Sequence, residues 1–549
     1  MEMETMKKLE KKALKKSGTD LSRLGFALFF MIAVLTFSFL NSGGVSNNLF
    51  LAVAALIGAY MAMNIGANDV ANNVGPAVGS KAMTLTMAII IAAVFEAAGA
   101  IIAGGEVVKT IKKGIIDISA FGGNADPFIW AMMAALLAAA LWLNFATAMR
   151  APVSTTHSIV GGVMGAGIAA AGFSIVSWST MGKIAASWII SPVLGGIIAA
   201  AFLYSIKKSI VFKEDKVKAA KTYVPIFVAI MAWAFVTYLT LKGLKKIWPN
   251  VVELLNMLPL ISIEMTKKPS FLTALIIGAV FAITVYIFVK NKLSKNNTVM
   301  ENNKASVNTL FTIPLVFAAA LLSFAHGAND VANAIGPLAA INDAVVNGGI
   351  SSKASIPFWV MAVGALGIAI GLALYGPKLI KTVGSEITEL DQIRAFSIAM
   401  AAAITVIIAS QLGLPVSSTH IAIGGVFGVG FLREWLDLNK DEKVVIEEEL
   451  EHLEEETQTL KAYKSELKSL KDKENKSSED FERITILYKM IDDEKMLIKS
   501  TKKAIKRTEK TQYVKRDAVK KIIAAWLITV PAAAVLAAML FFTIKGIMI

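Results

Sequence analysis

The sequence predicts an all-α polytopic membrane protein: two inverted-topology repeats with broken or re-entrant helices, plus a cytoplasmic helical hairpin. Three observations carry this. First, 55% of the 549 residues are hydrophobic and only 17% are charged, against about a quarter charged in soluble domains. Second, the apolar residues gather into runs of about 20, the length that crosses a bilayer as helix. Third, two polar motifs each occur twice, at nearly equal separation.

The apolar runs fall at 24–41, 49–66, 84–104, 128–149, 181–205, 223–242, 271–290, 308–326, 357–376, 393–412 and 521–544. The first follows a basic stretch, Lys7-Lys8-Leu9-Glu10-Lys11-Lys12. No small-x-small cleavage pattern closes it, so a retained helix is expected rather than a signal peptide. Two further apolar segments, 152–172 and 415–432, are rich in Gly and carry Pro, Ser, Thr and His. They read as broken helices, since irregular backbone at membrane depth survives only where protein or a cavity lines it.

Residues 433–521 differ. They hold 22 basic and 22 acidic residues, so the net charge of +14 belongs to the membrane part and its short loops. Positive-inside topology accounts for that charge more simply than nucleic-acid binding does. Ile446, Leu450, Leu453, Leu460 and Leu467, then Ile484, Leu487, Ile491, Ile498 and Ile505, form two apolar seams around a polar turn at 471–480. A helical hairpin results. Thr457 and Lys464 interrupt the seam, which argues against a long obligate coiled coil. With no cysteine in the chain, disulfides, thiol catalysis and Cys-ligated metals are excluded.

The repeat is the most informative feature. Gly66-Ala-Asn-Asp-Val-Ala-Asn-Asn-Val-Gly-Pro76 returns as Gly327-Ala-Asn-Asp-Val-Ala-Asn-Ala-Ile-Gly-Pro337, identical at nine of eleven positions. Pro152-Val-Ser-Thr-Thr-His157 returns as Pro415-Val-Ser-Ser-Thr-His420. The two motifs lie 86 residues apart in one half and 88 in the other. Interrupted apolar segments at matching positions in two halves point to a secondary transporter with its site between them. If 152–172 crosses the membrane, the Lys-rich loop 207–221, loop 291–305 and the hairpin all fall on the cytoplasmic side, and the halves are inverted. The basic residues near Lys245 and Lys267 then lie outside, which charge alone does not explain.

An ionised Asp at membrane depth is costly. Asn68, Asp69, Asn72 and Asn329, Asp330, Asn333 offer hard oxygens suited to a small alkali cation or a proton. The competing role is helix capping at a break, for which Asn and Asp are well suited. Ser154, Thr155, Thr156 and Ser417, Ser418, Thr419 follow a proline, so their hydroxyls are expected at a helix N-terminus, an anion site. Their competing role is hydroxyl-to-backbone bonding within a helix. His157, His326 and His420 could donate to the anion, relay protons or fill core positions. Glu96 has no acid in the matching part of the second half and reads as a cavity or pairing residue.

No phosphate-loop, His-Glu-x-x-His or Gly-x-Ser-x-Gly motif is present. No enzyme activity is expected; an intramembrane hydrolase is the weak enzyme alternative.

The paired Gly-Ala-Asn-Asp-Val-Ala-Asn and Pro-Val-Ser-[Ser/Thr]-Thr-His segments resemble the inorganic phosphate transporter (PiT) family, of sodium/phosphate symporter type, over about 45–206 and 303–433. The resemblance implies an inverted repeat, phosphate as substrate, and cation coupling, commonly by sodium. It also implies that Asp69 and Asp330 are essential and that the Ser/Thr segments hold phosphate. Animal members carry an extra glutamate before each Pro-Val segment, where Met132 and Ala399 stand here. The first helix, the hairpin and the last span lie outside the resemblance.

The expected organisation is 1–44 as basic N-terminus and anchor, 45–206 as repeat 1, 207–302 as connecting spans, 303–433 as repeat 2, 434–520 as the hairpin and 521–549 as the final helix. The expected function is import of inorganic phosphate with co-transported sodium, without a cofactor. Proton-coupled phosphate or sulfate symport on the same fold is the near alternative; an ion channel or a regulatory membrane protein is the alternative of another class. The expected surroundings are the lipid bilayer of a bacterial inner membrane, with the N-terminus and hairpin cytoplasmic. No nucleic-acid partner is expected, and a homodimer is compatible.

Overall fold

A computed structural model describes residues 2–45, 48–122, 125–149, 153–245, 247–257, 264–295, 300–347, 356–386, 390–437, 440–473, 477–508 and 516–548. The described residues form helices and no strand. In chain order these are α1 (Glu2–Asn41), α2 (Asn48–Gly79), α3 (Leu85–Ala103), α4 (Gly105–Lys113), α5 (Ala125–Ala148), α6 (Thr155–Ala171), α7 (Trp178–Ile206), α8 (Lys216–Tyr238) and α9 (Trp248–Asn256). There follow α10 (Phe271–Lys295), α11 (Lys304–Leu310), α12 (Thr312–Val346), α13 (Phe358–Glu386), α14 (Gln392–Gln411), α15 (Ser418–Asp437), α16 (Lys440–Lys471), α17 (Ser478–Thr508) and α18 (Arg516–Met548). Among the described residues, eleven helices are long and apolar enough to cross a membrane, and each matches one of the eleven apolar runs.

Burial sorts these helices. In α12, 89% of the apolar stretch is inside the protein, in α14 83% and in α2 72%, against 11% in α10 and 17% in α1. The motif helices are therefore central, and the connecting spans face outward. A central helix can carry Asn and Asp because neighbouring side chains supply the polar partners that lipid cannot.

The Asn-Asp motifs do not sit at helix breaks. Asn68-Asp69 lies inside the 32-residue α2, and Asn329-Asp330 inside the 35-residue α12. Capping is thereby ruled out as their role. The breaks fall instead before α6 and before α15. Val153 and Ser154 lead into α6, and Leu414 to Ser417 are non-helical ahead of α15. Pro152 lies outside the described residues.

Small residues set the central crossings. A Cβ on Gly66 of α2 would overlap the Ile368 carbonyl of α13, and one on Gly327 of α12 would overlap the Glu96 carbonyl of α3. Each motif helix thus crosses a helix of the other half at backbone contact. The same exchange recurs at the half-helices. Gly161 of α6 lies against Val530 of α18, and Gly424 of α15 lies against Pro192 of α7. So α18 does for α6 what α7 does for α15.

The hairpin, residues 430–515, forms a second compact unit. Within it α16 packs on α17. Leu487 and Ile491 are buried, Thr501 donates to Glu456 (3.0 Å), and Arg483 grips Glu466 with two bonds (2.8 and 3.1 Å). The expected seam residues Ile446 and Ile505 are outside the described side chains.

Candidate functional site

Polar residues of both halves meet where α2 and α12 pass the N-terminal ends of α6 and α15. Asp69, Asp330, Asn333, Thr156, Thr419 and His326 are all 1% exposed or less. The contacts are reciprocal. Asn72 Nδ2 donates to Thr419 Oγ1 (2.8 Å), and Asn333 Nδ2 donates to Thr155 and Thr156 Oγ1 (3.2 and 3.1 Å). Thr419 Oγ1 lies 3.1 Å from Asp69 Oδ1, and Thr156 Oγ1 lies 3.4 Å from Asp330 Oδ1. Each asparagine and each threonine bond therefore joins one half to the other. Ser418 Oγ adds a 2.8 Å bond to Asp330 Oδ2 within the second half.

One turn earlier, Asn68 Nδ2 donates to Thr147 Oγ1 (2.9 Å) and Asn329 Nδ2 to Ser410 Oγ (3.0 Å). Thr147 and Ser410 stand five residues before Pro152 and Pro415 respectively. These bonds tie each motif helix to the end of the helix that precedes the break. Ser154 and Ser417 act as N-caps: their Oγ atoms accept from the backbone N–H groups of His157 (3.1 Å) and His420 (3.3 Å). The cap uses an acceptor lone pair and leaves the hydroxyl hydrogen free to donate.

Several buried oxygens carry no hydrogen-bond donor among the described residues: Asn68 Oδ1, Asp69 Oδ2 and Asn333 Oδ1. Buried polar atoms are rarely left so without a functional reason. Pro76 and Pro337, inside α2 and α12, add to this set. Proline has no N–H to give the carbonyl four residues back, so Asn72 and Asn333 each lose the usual helical partner of their backbone oxygens. Carboxylate, amide and backbone oxygens together make a donor set for a hard cation. The sequence contained the signal, a proline four residues after each second asparagine, but motif reading did not use it.

His326 sits among the acids. Its Nε2 is 2.8 Å from Asp330 Oδ2 and 3.6 Å from Asp69 Oδ2, and its Nδ1 is 3.3 Å from Glu96 Oε2. Asn73 Nδ2 donates to the other Glu96 oxygen (2.7 Å). Glu96 is thus a pairing residue of the site. Its counterpart in the crossing of the other half is Ile368, and that of His326 is Ile65. His157 and His420 are elsewhere: their ring centroids are 4.4 Å apart, with Trp188 3.8 Å from His157 and Trp526 3.6 Å from His420. The four rings touch in the order Trp188, His157, His420, Trp526, and Trp188 Nε1 donates to the Pro415 carbonyl (3.3 Å).

Sequence reasoning missed α4. Thr110 donates to the Gly413 carbonyl (2.7 Å), at the left-handed turn (φ 67°) that opens the second break. Lys112 makes a buried 3.0 Å ion pair with Asp343 at the end of α12. Glu106 meets Lys245 at 2.6 Å, which gives that lysine a partner. Burial opposes the Glu106 charge, but the Lys245 bond with Lys242 and Lys109 nearby brings its pKa down to about 2. These residues are single and unrepeated, so no pattern marked them.

Mirrored intramembrane acids facing hydroxyl-bearing half-helices define a membrane transporter site, and the comparisons with known proteins agree. The chain belongs to the phosphate transporter family, whose model matches residues 65–537. That match runs into α18, so the first part of the last span, which the motif resemblance left out, lies within the family region. A Helicobacter pylori (strain J99) protein with the provisional name phosphate permease is 49% identical over 98% of both chains. A Pyrococcus furiosus protein of the same provisional name is 41% identical over 71% of this chain and 89% of its own. Among solved structures, one titled "The sodium-dependent phosphate transporter" matches with a TM-score of 0.69 and 29% identity, covering 91% of this chain and 99% of the other. The protein is therefore a multi-pass membrane transporter rather than an enzyme.

Proposed function

We propose that this protein imports inorganic phosphate together with sodium. One observation carries the reading: the hydroxyls of Thr419 and Ser418 point at Asp69 and Asp330, and that of Thr156 lies between the Val416 carbonyl (2.9 Å) and Asp330 (3.4 Å). These are the hydroxyls an oxyanion would need. A sodium ion on a carboxylate takes over the hydroxyl's task there and turns the donor toward phosphate. Each ligand then raises the affinity for the other, the linkage that symport requires. Asn68, Asp69, Asn72, Asn329, Asp330 and Asn333 would hold the cations. Thr155, Thr156, Ser418 and Thr419, with Ser154 and Ser417 donating from their caps, would hold phosphate. The sodium-dependent structural relative supports sodium as the ion.

Proton coupling is the second reading, favoured by His326 lying between Asp330 and Glu96. A ring with a carboxylate at each nitrogen can donate to both only when doubly protonated. In either reading the halves are inverted repeats, supported by the reciprocal contacts, and α18 completes the second half. The Lys-rich loop 207–221 supports a cytoplasmic N-terminus and hairpin. Radiolabelled phosphate uptake into proteoliposomes tests the function, with a sodium or a proton gradient imposed and sulfate and arsenate as competitors. Accumulation against the phosphate gradient supports a symporter; equilibration alone would mean a channel.

A further inference from the structure

We propose that the outward groove between α8 and α10 binds one phospholipid with an ammonium headgroup, phosphatidylethanolamine. On α8, residues 219, 222, 223, 226, 229, 230 and 233 form one stripe at helical spacing. Ile226, Ile230 and Trp233 of that stripe, with Ile283 of α10, line an apolar slot of about 290 Å³. All four are more than a third exposed, and they belong to apolar spans, so hydrocarbon is their natural neighbour. Small residues, Ala229 and Ala282, form the floor.

The same stripe runs into a second, polar pocket of about 390 Å³, lined by Lys213, Glu214, Asp215, Lys218 and Thr222. Tyr223 lines this pocket and Ile226 lines the slot, one turn apart, so the two are continuous along α8. Trp233 Nε1 bonds the Leu275 carbonyl (3.1 Å), while Ile226 shares the slot with Tyr286. The helices therefore run antiparallel, and Lys290, 5.4 Å from the Tyr286 ring, adds its charge at the polar end. Asn302 fixes that end: its side chain accepts from Lys216 N (2.8 Å) and donates to the Glu214 carbonyl (2.7 Å).

Charge complementarity selects the occupant. Lys213 and Lys218 suit a phosphodiester, and the Glu214 and Asp215 carboxylates suit a primary ammonium one short link away. A glycerol headgroup offers no cation to the acids. A choline headgroup offers no N–H. An acyl chain leaving the headgroup enters the slot directly.

The test is native mass spectrometry of the delipidated full-length protein, titrated with equal phosphatidylethanolamine, phosphatidylcholine and phosphatidylglycerol. One phosphatidylethanolamine per chain should be retained in preference to the other two. Ala229→Phe, which fills the slot, and the pair Lys213→Gln with Lys218→Gln, which strips the phosphate donors, should each lower that retention about tenfold. Equal retention of the three lipids would overturn the proposal. So would undiminished phosphatidylethanolamine in both variants. A third contrary result is Ala229→Phe dissociating a dimer without touching lipid retention, because a second copy would then be the groove's occupant.

Discussion

At the scale of single residues, the proposed function rests on two carboxylates that lie inside continuous helices and face hydroxyls of other segments. Asp69→Asn and Asp330→Asn keep the shape and remove the charge. Each is expected to abolish ion-coupled uptake while the protein still inserts, with uptake per folded molecule as the readout; normal sodium dependence in either variant would move the cation site elsewhere. Thr419→Ala and Thr156→Ala each remove one hydroxyl between the halves. Each should weaken apparent phosphate affinity about tenfold, the worth of one hydrogen bond to a charged group. Serine at either position should restore most of it, which a packing defect would not allow. These residues were legible in the sequence because the motifs occur twice. Their partners were not. Asn72 reaches Thr419 across 347 residues, and Glu96 meets His326 from another helix. Such pairings depend on which helices cross, and that depends on glycines whose role shows only in three dimensions.

At the scale of elements, the apolar runs marked eleven spans well because composition alone decides membrane crossing. The breaks were harder. Asn, Asp and Pro within an apolar run read as a helix end, yet α2 and α12 continue through them, since buried neighbours supply the polar partners. The crossings that bring those neighbours are tight. Gly327→Ala would put a methyl group into the Glu96 carbonyl and is expected to cost about 1–3 kcal/mol of stability, the usual cost of overpacking. A thermal-unfolding midpoint equal to that of the unaltered protein would show that α12 and α3 have slack. The short helix α4 makes a separate prediction. Its Glu106 is held well below the ordinary 4.5, so the Lys245 pair contributes above about pH 4.5 and fades as pH falls toward 2. Glu106→Gln should lower the unfolding midpoint at neutral pH by a small amount, as befits a partly exposed pair. The gap should close on acidification; a gap independent of pH would assign the loss to packing.

At the scale of the whole molecule, the two halves interlock: each supplies a motif helix and a half-helix to the other. The hairpin, residues 430–515, is a compact unit of its own. Replacing about 440–515 with a short Gly/Ser linker should therefore leave ion-coupled uptake at near-normal phosphate affinity. Loss of transport in a well-inserted, monodisperse sample would make the hairpin part of the machinery. The absence of cysteine makes single-cysteine labelling a clean test of orientation. Ser209→Cys and Lys267→Cys should react from opposite sides of the membrane, Ser209 from the cytoplasm. The central claim is that phosphate moves only with a cation held by the paired acids. The most direct measurement is phosphate uptake into proteoliposomes of the unaltered protein with an inward sodium gradient, followed by collapse of that gradient. Accumulation above the external concentration that drains away on collapse is the predicted result. Uptake that only equilibrates, indifferent to sodium and to protons alike, would contradict it.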